Sequence, residues 1–107
     1  MATKTKKETK SIQAPGVTSN ENGTVTIRLN KPIKRGEQEF PSITLLEPKA
    51  KDFVGIPIAQ VDSGEAGSVT LFVSKINSEM ITKEELLDLN ARDFLLLVLA
   101  CKEFLEV

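Results

Sequence analysis

Asn90-Ala91-Arg92-Asp93-Phe94-Leu95-Leu96-Leu97-Val98-Leu99-Ala100-Cys101-Lys102-Glu103-Phe104-Leu105 is the stretch on which the reading of the whole chain depends. Asn90 followed by Asp93 reads as a helix start. The Asn side chain accepts from an orphan N–H, and the Asp carboxylate lies near the positive end of the helix dipole. At about 100° per residue, Phe94, Val98, Cys101 and Leu105 share one stripe, with Leu97 and Phe104 at its edge. That stripe is enough to dock a helix on a core. Leu95, Leu96 and Leu99 fall on the opposite side, among Arg92, Lys102, Glu103 and Glu106. A helix apolar on two faces must cover both. In so short a chain the second cover is expected from another chain, which makes Leu95, Leu96 and Leu99 the candidate protein-binding residues. The competing reading packs them beneath the N-terminal strands or the helix around Phe72.

The chain has 107 residues, room for one domain with a modest core. Its 14 Lys+Arg balance 15 Asp+Glu, which argues against a dedicated nucleic-acid binder. There is no His, so the commonest general base and the usual partner of a Ser or Cys nucleophile are missing. A single Cys allows no internal disulfide and no cysteine cluster for zinc, and it fits a reducing cytoplasm. No apolar run approaches the roughly 20 residues of a spanning helix, and no secretory signal is present. No cofactor or membrane partner is expected.

Outward from the last helix, the chain reads as α+β. Residues 1–22 are polar, with Lys4, Lys6, Lys7 and Lys10 near the start, and read as a disordered tail. A single domain is expected over 23–107. Val25, Ile27 and Leu29 alternate with Thr24, Thr26 and Arg28 as in a half-buried strand. Asn30 to Glu37 carries Pro, Gly and charge and reads as a loop, with a second strand over Phe40 to Leu46. Together these form an antiparallel hairpin over 24–46, followed by three to four short helices over 48–107. Pro48 is placed in the first turn of a short helix, which Gly55 and Pro57 cut off. Ile56, Ile58 and Val61 are expected to tuck against the core. Ser63 to Ser68 reads as linker and cap, and Val69, Phe72, Val73 and Ile76 favour a helix over a strand. Thr82 and Glu85 have the spacing of a capping box.

Chemistry is thinly supported. Glu84, Glu85 and Asp88 form a solvated first turn more readily than an acid/base pair. Cys101 lies on the core stripe and reads as an inert thiol. Lys31, Lys34 and Arg35 lack the aromatic companions that stack on bases.

The order of elements supplies a further clue. The strand Thr24–Leu29 is followed by Lys31-Pro32-Ile33 and a Gly-containing turn. Then come Leu45-Leu46-Glu47-Pro48 with Asp52, and Leu89 to Asp93 opening an apolar helix. Over roughly residues 23–107 this resembles the Mu-like family of phage tail assembly chaperones. The resemblance implies a non-enzymatic protein of the bacterial host cytoplasm that binds the tape measure protein and keeps it soluble during tail assembly. It also implies absence from the mature virion, and many phages make a longer form by frameshifting. The family offers no catalytic residues to carry over. Gly55-Ile56-Pro57 departs from its pattern by interrupting the helix after Pro48. A homo-oligomer is compatible with the second leucine face. The alternative is a small structural tail or connector protein retained in the virion.

Overall fold

In the computed structural model, residues 16–105 are described. The first strand, β1 (Val17–Ser19), pairs antiparallel with β2 (Val25–Arg35), and β2 pairs antiparallel with β3 (Gln38–Leu45), so that β2 is central. The fold is α+β, as the sequence indicates, but the sheet has three strands rather than two. The segment read as a tail over 1–22 is corrected at its C-terminal end. Residues 16–22 form β1 and the turn into β2, while residues 1–15 lie outside the described residues. Asn20 and Asn22 build that turn. Asn20 N–H donates to Thr24 O at 2.8 Å, and Asn22 Oδ1 accepts from Thr24 Oγ1 at 2.7 Å. Gly23 takes φ +89°, a region that costs a glycine no Cβ clash.

The stretch Asn30–Glu37, expected as a loop, is also largely strand. β2 runs to Arg35, and Gly36, at φ +61°, opens a two-residue turn into Gln38. Pro32 survives inside β2 because the pairing breaks there. The register passes from Arg28↔Ser42 to Ile33↔Phe40, so Leu29, Asn30, Lys31 and Pro32 oppose Pro41 alone. This is a large bulge of four residues against one, and it frees backbone N–H groups that must find other partners.

Val25, Ile27, Leu29, Ile43 and Leu45 are buried on one sheet face. Four helices follow, α1 (Ile58–Ser63), α2 (Ala66–Ile76), α3 (Lys83–Leu87) and α4 (Ala91–Leu105); α4 packs on β2 and β1, α1 and α2 pack on α4 and on each other, and α3 packs on α2. A 3-10 turn, Ala50–Phe53, precedes them, and Pro48 stands two residues before it rather than in its first turn. Phe53 stacks on Phe72 of α2 with ring centroids 4.5 Å apart, anchoring the turn to the core. Ile56 and Val61 are buried as expected, whereas Ile58 faces outward. The helical reading around Phe72 holds. Its N-terminus is capped by Glu65, whose carboxylate accepts from Ser68 and Gly67 N–H at 2.8 and 3.1 Å. The Thr82–Glu85 capping box is present in α3: Thr82 Oγ1 accepts from Glu85 N–H at 3.2 Å, and Glu85 Oε1 accepts from Thr82 N–H at 3.0 Å.

Between α2 and α3, Asn77 is buried and fully used. Its Nδ2 donates to Val73 O at 2.9 Å and Ile81 O at 3.0 Å, while Oδ1 accepts from Ile81 N–H at 2.7 Å. The same segment covers the outer edge of β3. Ser78 N–H donates to Thr44 O, and the Glu79 carboxylate accepts from Thr44 N–H at 3.0 Å. An open strand edge is thereby closed to other chains over these residues.

Candidate interaction surface

Helix α4 begins as its sequence predicts: Asn90 Oδ1 accepts from Asp93 N–H at 2.8 Å. Asp93 has a larger role than complementing the helix dipole. Its side chain is fully buried and reaches into the β2 bulge. Oδ1 accepts from Asn30 N–H at 2.8 Å and from Asn30 Nδ2 at 3.0 Å, and Oδ2 accepts from Lys31 N–H at 3.1 Å. One carboxylate therefore satisfies the N–H groups that the bulge leaves free, and it fixes the rotation of α4 against the sheet.

That rotation decides which leucines are free. The buried face of α4 comprises Asp93, Leu96, Leu97, Val98, Ala100 and Cys101, with Phe94, Leu99, Phe104 and Leu105 packed on its margins. On a wheel of about 100° per residue this is an arc running from Leu96 round to Val98, wider than the stripe read from sequence. The arc leaves out a ridge made of Lys102, Leu95, Leu99, Arg92 and Glu103.

The three leucines read as one face are consequently divided. Leu95 is 56 % exposed and Leu99 is half-buried, whereas Leu96 is only 9 % exposed. Leu96 is thus corrected from the outward face to the core. The cover is the chain entering β1: a Cβ added at Gly16, the residue before the strand, would meet Leu96 Cδ1 at 3.4 Å, so the backbone passes close over this side chain. The strand missing from the sequence reading is the element that hides one of the three leucines. The Asn22-Gly23 pair, a strong hairpin signal ahead of Val25, is the feature that marks it.

The ridge lies between two supports. On one side Ser19 Oγ of β1 donates to Glu103 Oε1 at 2.8 Å. On the other, Lys102 Nζ lies 3.5 Å from Asp62 Oδ1 of α1, and Gly64 closely approaches Val98. Arg92 has no ion pair among the described residues. Beside the ridge, a groove of about 580 Å³ is lined by Gly16, Arg28, Leu29, Asn30, Arg92 and Leu96.

A second cleft, of about 510 Å³, separates the far half of β2 from the α3–α4 corner, with Lys31 and Lys34 facing Glu85 and Asp88. Its acidic wall is tied down. Arg35 Nη2 and Nε donate to the two oxygens of Glu85 at 2.6 and 2.9 Å. The bonds from Arg35 first, and then the Thr82 N–H, hold the Glu85 carboxyl at about 2, well below the ordinary carboxylate range. An acid that remains ionised at neutral pH is no proton donor. Burial pushes the Cys101 thiol up to about 12, and it is fully buried, so it is an inert thiol at neutral pH. Among the described residues, no three His, Cys, Asp or Glu side chains are grouped to hold a metal ion, and no helix is long and apolar enough to cross a membrane.

Comparison with known proteins bears on what such a surface serves. Tail assembly protein E of Escherichia phage P2 is 31 % identical over 71 residues, covering 66 % of this chain and 78 % of that protein. Tail assembly protein E' of the same phage is 31 % identical over 71 residues, covering 66 % of this chain and 50 % of that longer relative. No solved structure matches. The family described as phage tail assembly chaperone proteins, E, or 41 or 14, matches residues 26–106, a span that takes in β2 from its second residue, the bulge, Asp93 and the whole α4 ridge. The chain belongs to the phage tail assembly chaperone family.

Proposed function

We propose that this chain binds the tape measure protein of its phage and keeps it soluble while the tail is assembled, acting in the host cytoplasm and leaving no copy in the finished particle. The motifs around Leu45–Asp52 and Leu89–Asp93 favour the Mu-like branch of the family. The observation that carries the reading is the ridge of α4. Leu95 stands 56 % exposed, and Leu99 half-buried, on a helix whose remaining faces are pinned by Asp93, β1 and α1. A tape measure protein is a long, largely helical chain whose apolar seams aggregate when bare. A rigid helix with leucines one turn apart can lie along such a seam and leave it again. The relatives in phage P2 are tail assembly proteins by name, which supports an assembly role over a structural one.

The test is co-expression of the full chain with its tape measure protein. The reading expects a soluble tape measure protein that co-purifies with wild type, and an aggregated one with Leu95→Glu. Leu95 is the informative position, because a charge at Leu96 would be buried and would unfold the domain. A tape measure protein equally insoluble with and without wild type overturns the reading. Finding the chain by mass spectrometry in purified particles favours the retained structural component instead.

A further inference from the structure

We infer that the α4 ridge is self-complementary, and that in the absence of a client two copies of this chain cover it by packing their α4 helices antiparallel about a two-fold axis. The inference uses the ridge residues of the proposed function but not the identity of the client.

Four positions carry the argument. Arg92 and Glu103 stand at opposite ends of the ridge, with Leu95 and Leu99 between them. On the helical wheel Arg92 and Glu103 lie within about 20° of each other, on one side of the two leucines. The midpoint of Arg92 and Glu103 falls between Leu97 and Val98, and the midpoint of Leu95 and Leu99 falls at Leu97. Charge pair and apolar pair therefore share one centre, to within half a residue.

A two-fold axis through that centre makes an isologous contact. It lays Leu95 and Leu99 of one copy against the leucines of the other. It also brings each Arg92 to the Glu103 of the second copy, because the axis preserves which side of the ridge a residue occupies. Neither group has an ion pair within its own chain among the described residues. Arg92 is exposed, and Glu103 takes a single hydrogen bond from Ser19. On the other side Lys102 falls opposite Ala91 of the second copy, and it keeps Asp62 as its own partner, so the arrangement opposes no like charges. The sheet offers less along β3 and the bulge: the Asn30 and Lys31 N–H groups freed in β2 are taken by Asp93, Thr44 N–H of β3 is taken by Glu79, and Pro41 of β3 has no N–H to donate.

Sedimentation of the full chain without client tests the inference. Wild type is expected to dimerise, and Leu95→Glu to be monomeric with an unchanged circular dichroism spectrum. Arg92→Glu alone and Glu103→Arg alone should each weaken the dimer about tenfold, since each substitution turns two symmetric attractions into repulsions. The double variant Arg92→Glu/Glu103→Arg should recover wild-type affinity to within about threefold. Ser19→Ala controls for the lost hydrogen bond to Glu103 and should leave dimerisation unchanged. A wild type that stays monomeric up to about 1 mM overturns the inference, the ridge then being left to client or to the chain's own terminus. So does a dimer indifferent to the single reversals, or one that the double reversal fails to restore. Because no client is present, a monomer leaves the co-purification test untouched, and a failed co-purification leaves the dimer standing.

Discussion

The two faces of α4 are built from the same residue types and have opposite fates. Facing inward, Leu96, Leu97, Val98, Ala100 and Cys101 meet the sheet and the other helices, and Asp93 locks them in register through the N–H groups of Asn30 and Lys31. Facing outward, Leu95 stands exposed between charged neighbours, and Leu99 beside it is half-buried, resting one flank on the core. Hydrophobicity alone does not distinguish the two sets. What separates them is one buried carboxylate, which sets how far the helix is turned, and one three-residue strand, which covers Leu96 but not Leu95. Rotation of a helix is a polar decision here, even though its energy comes from apolar burial.

Substitutions on the two faces should therefore separate stability from binding. The largest loss is expected from Asp93→Ala, which removes the acceptor of the Asn30 and Lys31 N–H groups and leaves a hole at a fully buried position, and should cost about 4 kcal/mol in chemical denaturation. Asp93→Asn should recover only part of it, because an amide accepts through one oxygen instead of two. Leu97→Ala, at a fully buried position, should cost about 3 kcal/mol through lost transfer energy and a cavity. Leu95→Ala should change stability by less than about 0.5 kcal/mol while weakening whatever covers the ridge. If Leu95→Ala were as damaging to stability as Leu97→Ala, the distinction between the faces would collapse.

The smallest effect is expected at the exposed tie between the hairpin and α3. Glu85 is held at about 2 by Arg35, so its contribution is fully present above the ordinary carboxylate value of about 4.3 and is lost as pH falls towards 2. Arg35→Ala should raise the Glu85 midpoint in an NMR titration and shrink the melting-temperature loss between about pH 5 and pH 2. Because the pair lies at the surface, the change at neutral pH should be slight. Asp93 and Glu85 thus both bind the far half of β2 to the helices, one from inside and one from outside.

Much of this was legible in the residues. Alternation at Val25, Ile27 and Leu29 marks β2, the Thr82–Glu85 spacing marks α3, and Asn90 marks the start of α4, because each signal is local and repeats with its element's period. Two features were not. β1 is only Val17–Ser19, too short for alternation to register, and its polar flanks match those of a tail. The bulge at Leu29–Pro32 has the composition of a loop, and only its distant partner Asp93 makes it part of a strand. Both omissions bear on one side chain, Leu96, which the helical wheel places on the outward face with Leu95 and Leu99. Its fate rests on contacts from β1, some eighty residues away in the chain, and no helical wheel carries that information.

The measurement that goes most directly to the central claim is recovery of soluble tape measure protein when co-expressed with wild type, Leu95→Glu or Leu97→Ala, each variant's folding being followed by circular dichroism. Leu95→Glu is expected to stay folded and lose the client, while Leu97→Ala loses stability but, where it remains folded, keeps the client. A folded Leu95→Glu protein that holds the tape measure protein in solution as well as wild type does would contradict that claim.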